Sequence, residues 1–454
     1  MTLWNARDLR QATGGTGGSD ATGVSIDTRT LTPGDLFVAL VGENGDGHRF
    51  VGDALARGAA CAMVHADIPG LAGDARLLRV ADTLAGLAGL GRFARARCGA
   101  RVAAITGSVG KTTAKAMLAR ILASRGPTHA AVASYNNHWG LPLTLARMPP
   151  DIAYAVVEIG MNHPREIAPL ARLARPHVAL ITAIAPVHIG HLGSLEAIAI
   201  EKGSLFEGLE PDGIAILPVE AAHVERLRRA AGAHRVLGFG TGEDADARLL
   251  AAASTQDAVR LRARVLGTEV ETRLAAPGTH MAMNATAAML AAGALGVPPG
   301  EAAAALGGFA PVRGRGERRV LRLAGGEALL LDESYNASAI SVRAALAVLA
   351  LQPARRRIAV LGDMLELGEA GPAEHLSLVA EVGRCADRLF ACGPLMRQLF
   401  DAVPQGLRGA WAADSSALAP LVAADLRAGD AVLVKGSLGS RMARIVAALE
   451  EAAA

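Results

Sequence analysis

From residue 101 onward, uninterrupted apolar runs alternate with longer stretches of helical spacing. The runs are RVAAIT (101–106), YAVVEIG (154–160), HVALIT (177–182) and GIAILP (213–218). Strands that are apolar on both faces imply a parallel sheet covered by helices on each side. A second series follows: ALLLDES (328–334), RIAVLGDM (357–364), RLFACG (388–393) and AVLVKGS (431–437). Between the two lies GGFAPVRGRGER (307–318), whose Gly, Pro and Arg content predicts a hinge or linker. Up to about residue 98 the pattern predicts short strands and turns, with the strand LFVAL (36–40) inside a Gly/Asp-rich region.

These shifts divide the 454 residues into three α/β domains, as expected at roughly 150 residues each. They are a small domain at 1–98, a central P-loop ATPase-like parallel-sheet domain at 99–312, and a Rossmann-like domain at 313–454. The chain is 51% hydrophobic but only 3% aromatic and contains 52 glycines, which fits close-packed α/β layers better than an aromatic-rich β protein.

The net charge of +3 gives no strong electrostatic signature. The one basic run, ARRRI (354–358), flanks a strand, so no nucleic-acid partner is expected. Two weakly charged stretches, 176–195 and 279–300, are interrupted by histidines and prolines; buried elements are expected there, not membrane spans. The four cysteines form no C-x-x-C pair, and MTLWNARDLR carries charges where a signal peptide needs an apolar core. Reduced thiols and a cytoplasmic location are expected.

The segment ITGSVGKTTAK (105–115) joins an apolar strand to a helical pattern, as a phosphate-binding loop requires. The longer G-x-x-x-x-G-K-[ST] spacing would place glycine where Ile105 stands. Backbone amides from Gly107 through Ser108, Val109 and Gly110 to Lys111 would wrap phosphates at a helix N-terminus. Lys111 would neutralise phosphate oxygens, Thr112 would offer its hydroxyl to Mg2+, and Thr113 completes the loop. A nucleotide such as ATP with Mg2+ is the ligand this pattern suits.

Glu158 falls at the carboxyl end of a strand, where crevices form in open α/β sheets. On spacing alone it is equally a Mg2+ ligand or a carboxylate paired with a lysine. His188 and His191 stand three apart but lack a third zinc ligand nearby. Lys202, in the helical stretch LEAIAIEKGSLFEGL (195–209), reads by itself as a solvated charge.

Together these segments resemble the Mur ligases of peptidoglycan synthesis over essentially the whole chain. That family uses a compact T-G-[ST]-x-G-K-[ST]-[ST] loop, as in TGSVGKTT, so Ile105 is expected there. Six further segments carry the resemblance: IDTRTLTPGDLFVALVGENGDGHRF (26–50), YNNHWGLPLTL (135–145), AVVEIGMNHPREI (155–167), HIGHLGSLEAIAIEKGSLF (188–206) and, most specifically, DESYNASAISVRAAL (332–346) with LGDMLELGE (361–369). They are most similar to the members that add D-alanyl-D-alanine to UDP-MurNAc-tripeptide; the D-N-P-R acceptor motif of the tripeptide-forming members is absent. The chain departs from the pattern at Ala183, at Ser338 and Ala339 in SYNASA, and in KGSLGSRM (435–442).

The resemblance implies an ATP-dependent, ADP-forming ligase that makes a C–N bond through an acyl phosphate. It makes Glu158 and His188 Mg2+ ligands beside Thr112. It matches Lys202 to a lysine that several members carbamylate, so Lys111, His188 and Lys202 become the catalytic set. Asn284, Arg315, Asp332 and Asn336 fall at or near ATP. The first domain would bind the UDP-MurNAc-peptide. Thr28, Arg29, Asp46 and His48 sit in polar turns suited to UDP or the sugar, where turn chemistry alone explains them equally well. Asn136 and Asn137 offer adjacent amides to the peptide-bearing substrate. A monomer is expected. Other readings left open are the tripeptide-forming Mur ligase, folylpolyglutamate synthase, a phosphotransferase and a non-catalytic nucleotide-binding regulator.

Overall fold

The computed structural model describes residues 2–42, 45–131 and 134–453. Its first sheet has five short strands, in spatial order Thr16–Gly17, Leu77–Arg79, Cys61–Val64, Asp35–Val38 and Gly23–Ser25. Only the Thr16–Gly17 edge runs antiparallel. Beside this sheet stands a helix that the apolar pattern did not reveal, Thr83–Arg97. Its glycines lower helix propensity but permit close approach. A Cβ on Gly89 would lie 2.2 Å from the Ala12 carbonyl oxygen, and one on Gly91 3.1 Å from that of Pro142. The helix therefore packs directly against Ala6–Thr13 and against Gly140–Ala146 of the next sheet's layer.

The central sheet has nine strands. Arg101–Thr106 is third from one edge, flanked by Tyr154–Glu158 on one side and Val178–Ile181 on the other. All three are parallel, and all their residues are buried except Arg101 and Tyr154, the first of their strands. Ile105 is among the buried ones, paired with Glu158 and Leu180. A glycine there would forfeit core packing without serving the loop. Beyond Arg235–Gly240 the sheet continues through Ala247–Ser254, Val259–Val265 and Thr268–Leu274, the last two pairings being antiparallel. Val259–Val265 alternates buried and exposed residues because only one of its faces is covered, by the helix Thr279–Ala294. That helix fills much of the 279–300 stretch. Among the described residues no helix is long and apolar enough to cross a membrane.

The third sheet orders six strands as Glu317–Leu323, Gly326–Glu333, Asp430–Lys435, Arg356–Gly362, Arg388–Cys392 and Arg408–Ala412. Its first strand contains Glu317 and Arg318, so the expected linker ends sooner than its composition suggested. The amphipathic sequence ERRVLRL forms an antiparallel edge on Gly326–Glu333. Separate buried clusters fill the layers around the three sheets. All four cysteines are free thiols.

Candidate active site

The first strand of the central sheet's βα series feeds the phosphate loop. The chain then returns to pair on one side of that strand and later on the other, which opens a crevice at its carboxyl end. Gly107 takes φ +147°, and a Cβ there would lie 2.0 Å from Thr182 Oγ1. Gly110 takes φ +84°, and a Cβ there would lie 2.5 Å from Asn284 Oδ1. Asn284, though far along the chain, thus lies against the loop. Ser108 Oγ donates to the Ala185 carbonyl and accepts from the Ala185 amide, each at 2.9 Å, while Thr182 Oγ1 donates to the Val109 carbonyl at 2.6 Å. The loop is therefore braced by side chains and by its neighbour strand before any ligand arrives. The helix Lys111–Ala123 begins without a side-chain cap, leaving its first amides for an anion. Thr113 lies in its first turn.

Lys111 folds back, its Nζ donating to the Gly107 carbonyl at 2.7 Å. Burial lowers the affinity of its ammonium for a proton; Glu158 acts the other way, and Arg315 reinforces the lowering. Glu158 is 1% exposed and gathers three polar neighbours. Thr112 Oγ1 donates to its Oε2 at 2.9 Å, Asn136 Nδ2 donates to its Oε1 at 2.8 Å, and Lys115 Nζ lies 3.6 Å from Oε2. Lys115 is thus the lysine partner of one reading of Glu158, and the Thr112 hydroxyl on the same oxygen leaves the metal reading open.

Lys202 is 2% exposed on the helix Leu195–Gly203. Burial pushes its ammonium well below the ordinary lysine range, and the nearby Lys111 adds to this, against the neighbouring Glu201. No hydrogen bond or ion pair to its Nζ is found among the described residues. Glu201 explains the helix's placement. Its carboxylate accepts from the amides of Arg165 at 2.7 Å and of Glu166 and Ile167 at 2.9 Å. It thereby caps the helix Ile167–Ala174, which lacks a cap of its own at Glu166. Successive helical residues point about 100° apart, so anchoring Glu201 to one side turns Lys202 toward the phosphate loop.

His188, at φ +60°, pairs through Nδ1 with Glu366 of the third domain. His163 and His191 stack edge-on nearby, with ring centroids 4.8 Å apart. The Glu366 carboxyl is held below its ordinary range, chiefly by its hydrogen bond to His188. Gly190 N donates to the Glu366 carbonyl at 3.1 Å, so the third domain touches the central one here. It touches again at Arg315, whose guanidinium donates to Ser134 Oγ at 3.1 Å and lies 4.1 Å from the Tyr335 ring centroid. Among the described residues, no hydrogen bond or ion pair joins His188 to the Thr112–Glu158 cluster.

Asp332 is buried, accepting from the Ser334 amide at 3.0 Å and pairing with Arg319. Asn336 sits close by: its carbonyl accepts from Lys435 Nζ at 3.0 Å, and the same ammonium lies 3.1 Å from Glu333 Oε2.

The first-domain positions lie apart from this cluster. Arg29 is 86% exposed at its side chain and pairs with Asp27 at 2.6 Å across the turn containing Thr28. His48 is enclosed. Its Nδ1 bonds Asp46 Oδ1 at 2.6 Å, and its Nε2 accepts from the His65 amide at 3.2 Å. Both ring nitrogens are engaged, which is the turn-chemistry alternative for His48 and Asp46. Asn136 reaches Glu158 as described, and Asn137 Oδ1 accepts from the amides of Trp139 at 3.2 Å and Gly140 at 2.9 Å, setting the entry to the helix Gly140–Ala146.

Four residues of this arrangement escaped sequence reasoning: Lys115, Glu201, Glu366 and Thr182. Lys115 had a signal, since a residue three after Thr112 shares its helix face. The other three depend on long-range partners.

The donor set at Glu158 and Thr112 is hard oxygen without thiolate, which suits Mg2+. His188 fits less directly while Glu366 engages its Nδ1.

Comparison with known proteins agrees over the full length. Residues 20–88 match the Mur ligase family catalytic domain, 105–292 the Mur ligase middle domain, and 314–438 the Mur ligase glutamate ligase domain. A UDP-N-acetylmuramoyl-tripeptide–D-alanyl-D-alanine ligase of Escherichia coli (strain K12) is 37% identical over 450 residues, covering 96% of this chain and 95% of its own. The ligase of that description from Bacillus subtilis (strain 168) is 33% identical, covering 94% and 93%. A crystal structure of MurF from Acinetobacter baumannii superposes with a TM-score of 0.86 at 30% identity, covering 99% of both chains. Three α/β domains in this order, a compact phosphate loop at their junction and relatives that align from end to end place the chain in the Mur ligase family.

Proposed function

We propose that this chain joins D-alanyl-D-alanine to UDP-MurNAc-tripeptide at the expense of ATP, forming the pentapeptide precursor of peptidoglycan. The observation that carries the reading is the meeting of Lys111, Lys202 and the Thr112–Glu158 pair where the central domain faces the third. Relatives with this activity in their names align along the whole chain, which favours it over the other amide ligases.

A carboxylate is a poor electrophile and must be activated. The tripeptide's terminal carboxylate oxygen attacks the γ-phosphorus of ATP; the bond to the bridging oxygen breaks, and ADP leaves. The amine of D-alanyl-D-alanine then attacks the acyl phosphate carbon. The C–N bond forms, the amine loses a proton, and the tetrahedral adduct expels phosphate. Positioning and charge neutralisation carry most of such a reaction.

In this reading Lys111 leaves the Gly107 carbonyl for the phosphate oxygens, and the loop amides from Gly107 to Thr113 hold the remaining charge. Thr112, Glu158 and, after relocation from Glu366, His188 would hold Mg2+, which supplies further neutralisation of the phosphates. Lys202 would take up CO2 at Nζ, the new C–N bond forming as the nitrogen releases a proton to solvent; the resulting carbamate puts an anion where a lysine cation would stand and would give a second metal ligand. Asn284, Arg315, Asp332 and Asn336 contact the nucleotide as the third domain closes and excludes water from the acyl phosphate. Residues 1–98, with Thr28, Arg29, Asp46 and His48, bind the UDP-sugar, and Asn136 and Asn137 orient the peptide arm. The enzyme works in the cytoplasm, as a monomer, where both its UDP-linked substrate and ATP are found.

Purified protein with ATP and UDP-MurNAc-tripeptide should form pentapeptide, detected by mass, only when D-alanyl-D-alanine is present. Without acceptor, hydroxylamine should trap the acyl phosphate as a hydroxamate. ADP release with no pentapeptide under any acceptor defeats the proposal, and a stable phosphorylated product points to a phosphotransferase.

A further inference from the structure

Lys115 occupies a position that the reaction described above does not use. It lies one turn beyond Thr112 on the helix Lys111–Ala123, and the two side chains share a face. Its Nζ is 3.6 Å from Glu158 Oε2, the same oxygen that accepts from Thr112 at 2.9 Å. The side chains of Lys115 and Glu158 are only 6% and 1% exposed. The other carboxylate oxygen is held by Asn136 at 2.8 Å.

A buried carboxylate needs a compensating charge. In this arrangement Lys115 supplies it beside Oε2, while Asn136 occupies Oε1. A divalent cation coming to the Glu158–Thr112 pair brings two positive charges to the oxygen that Lys115 faces. The cation and the ammonium then compete for one anion in a site of low polarisability.

We propose that Lys115 is a positioning residue that aims the Glu158 carboxylate for a divalent cation, stands in for that cation beforehand, and by its charge sets how weakly the cation is held. The inference rests on the reading of Glu158 as a metal ligand. A site weakened in this way releases its cation with the products.

The test is binding of Mn2+ to the nucleotide-free full-length protein at pH 8, followed by the loss of the free Mn2+ electron paramagnetic resonance signal. The neutral variants Lys115→Met and Lys115→Gln are each expected to bind Mn2+ at least about tenfold more tightly than the natural protein. Lys115→Arg, which keeps the charge, is expected to stay within about threefold. A merely structural role for Lys115 would loosen binding in the neutral variants or leave it unchanged, and either result overturns the proposal. Two neutral side chains of different polarity guard against one that fails to fold. Glu158→Gln separates the two layers of the argument. If it binds Mn2+ as the natural protein does, the metal-site reading itself is wrong. If it loses Mn2+ while the neutral Lys115 variants show no tightening, only the role of Lys115 is wrong.

Discussion

Glu201 offers a direct measure of how much the placement of Lys202 depends on a single carboxylate. It is 7% exposed and accepts three backbone amides, at 2.7, 2.9 and 2.9 Å, from the start of the helix Ile167–Ala174. Hydrogen bonds to a charged group contribute about 1.5–3 kcal/mol each, but three on one group are not additive. Arg165, one of the donors, is also held at φ +70°, a conformation that costs a non-glycine residue roughly 1 kcal/mol or more. Truncation in Glu201→Ala strands three amides at a part-buried helix start, with an expected local loss of about 3 kcal/mol. Glu201→Gln keeps one acceptor oxygen for the Glu166 and Ile167 amides but turns an NH2 group toward that of Arg165; about 1–2 kcal/mol is expected. Amide hydrogen exchange reads this locally, without requiring three domains to unfold as one. At 1.4 kcal/mol per decade, residues 165–167 should exchange on the order of a hundredfold faster in Glu201→Ala and about tenfold faster in Glu201→Gln. Because the freed helix no longer turns Lys202 toward the loop, kcat should fall in parallel while the KM for ATP changes little. Exchange within about threefold of the natural protein in both variants would refute the cap, and with it the account of how Lys202 is aimed.

Gly110→Ala forces a Cβ to within 2.5 Å of Asn284 Oδ1 at φ +84°, so the Kd for ATP, measured by calorimetry, should rise tenfold or more; an unchanged Kd would show that the loop relaxes freely. A carbamate on Lys202 should give a carbonyl resonance with 13C-labelled bicarbonate that is absent from Lys202→Arg, and its absence from both would remove the second anionic ligand. His375 is fully buried, with Nδ1 donating to the Gly371 carbonyl at 2.7 Å and Nε2 accepting from the Met364 amide at 3.0 Å. Burial pushes it below the ordinary histidine value of about 6.5, so the unfolded chain takes up a proton that the folded chain resists. Its contribution to stability is therefore present above about pH 6.5 and is lost as pH falls from there toward the folded value, at no more than about 1.4 kcal/mol per pH unit. Urea midpoints between pH 7 and 5 should fall more steeply for the natural protein than for His375→Gln, and parallel slopes would contradict the assignment.

Local patterning carried the strands and the loop. Val102 to Ile105 are apolar on both faces of the sheet, and that alone marks a central parallel strand. Gly107, Gly110, Lys111 and Thr112 follow at fixed spacing, so the phosphate cradle could be read within eight residues. Where local and tertiary demands conflicted, reading failed. The glycines of Thr83–Arg97 look like helix breakers until Ala12 and Pro142 are seen pressed against them. The strands from 247 to 274 also escaped, although VRLRARV (259–265) alternates apolar and polar residues as a half-buried strand does.

By itself the sequence determined the main parallel strands, the phosphate loop and, through the resemblance of its motifs, the family. The tertiary structure alone decided which groups meet. Thr112 and Glu158 are 46 residues apart, Asn136 and Glu158 22, Ile167 and Glu201 34. Whether Glu158 faces a lysine or a metal, which way Lys202 points, and that His188 meets Glu366 are set by strand register and helix rotation. A side chain's direction along one element follows from a local period of two or 3.6 residues, but its partner on another element follows only from how the elements pack.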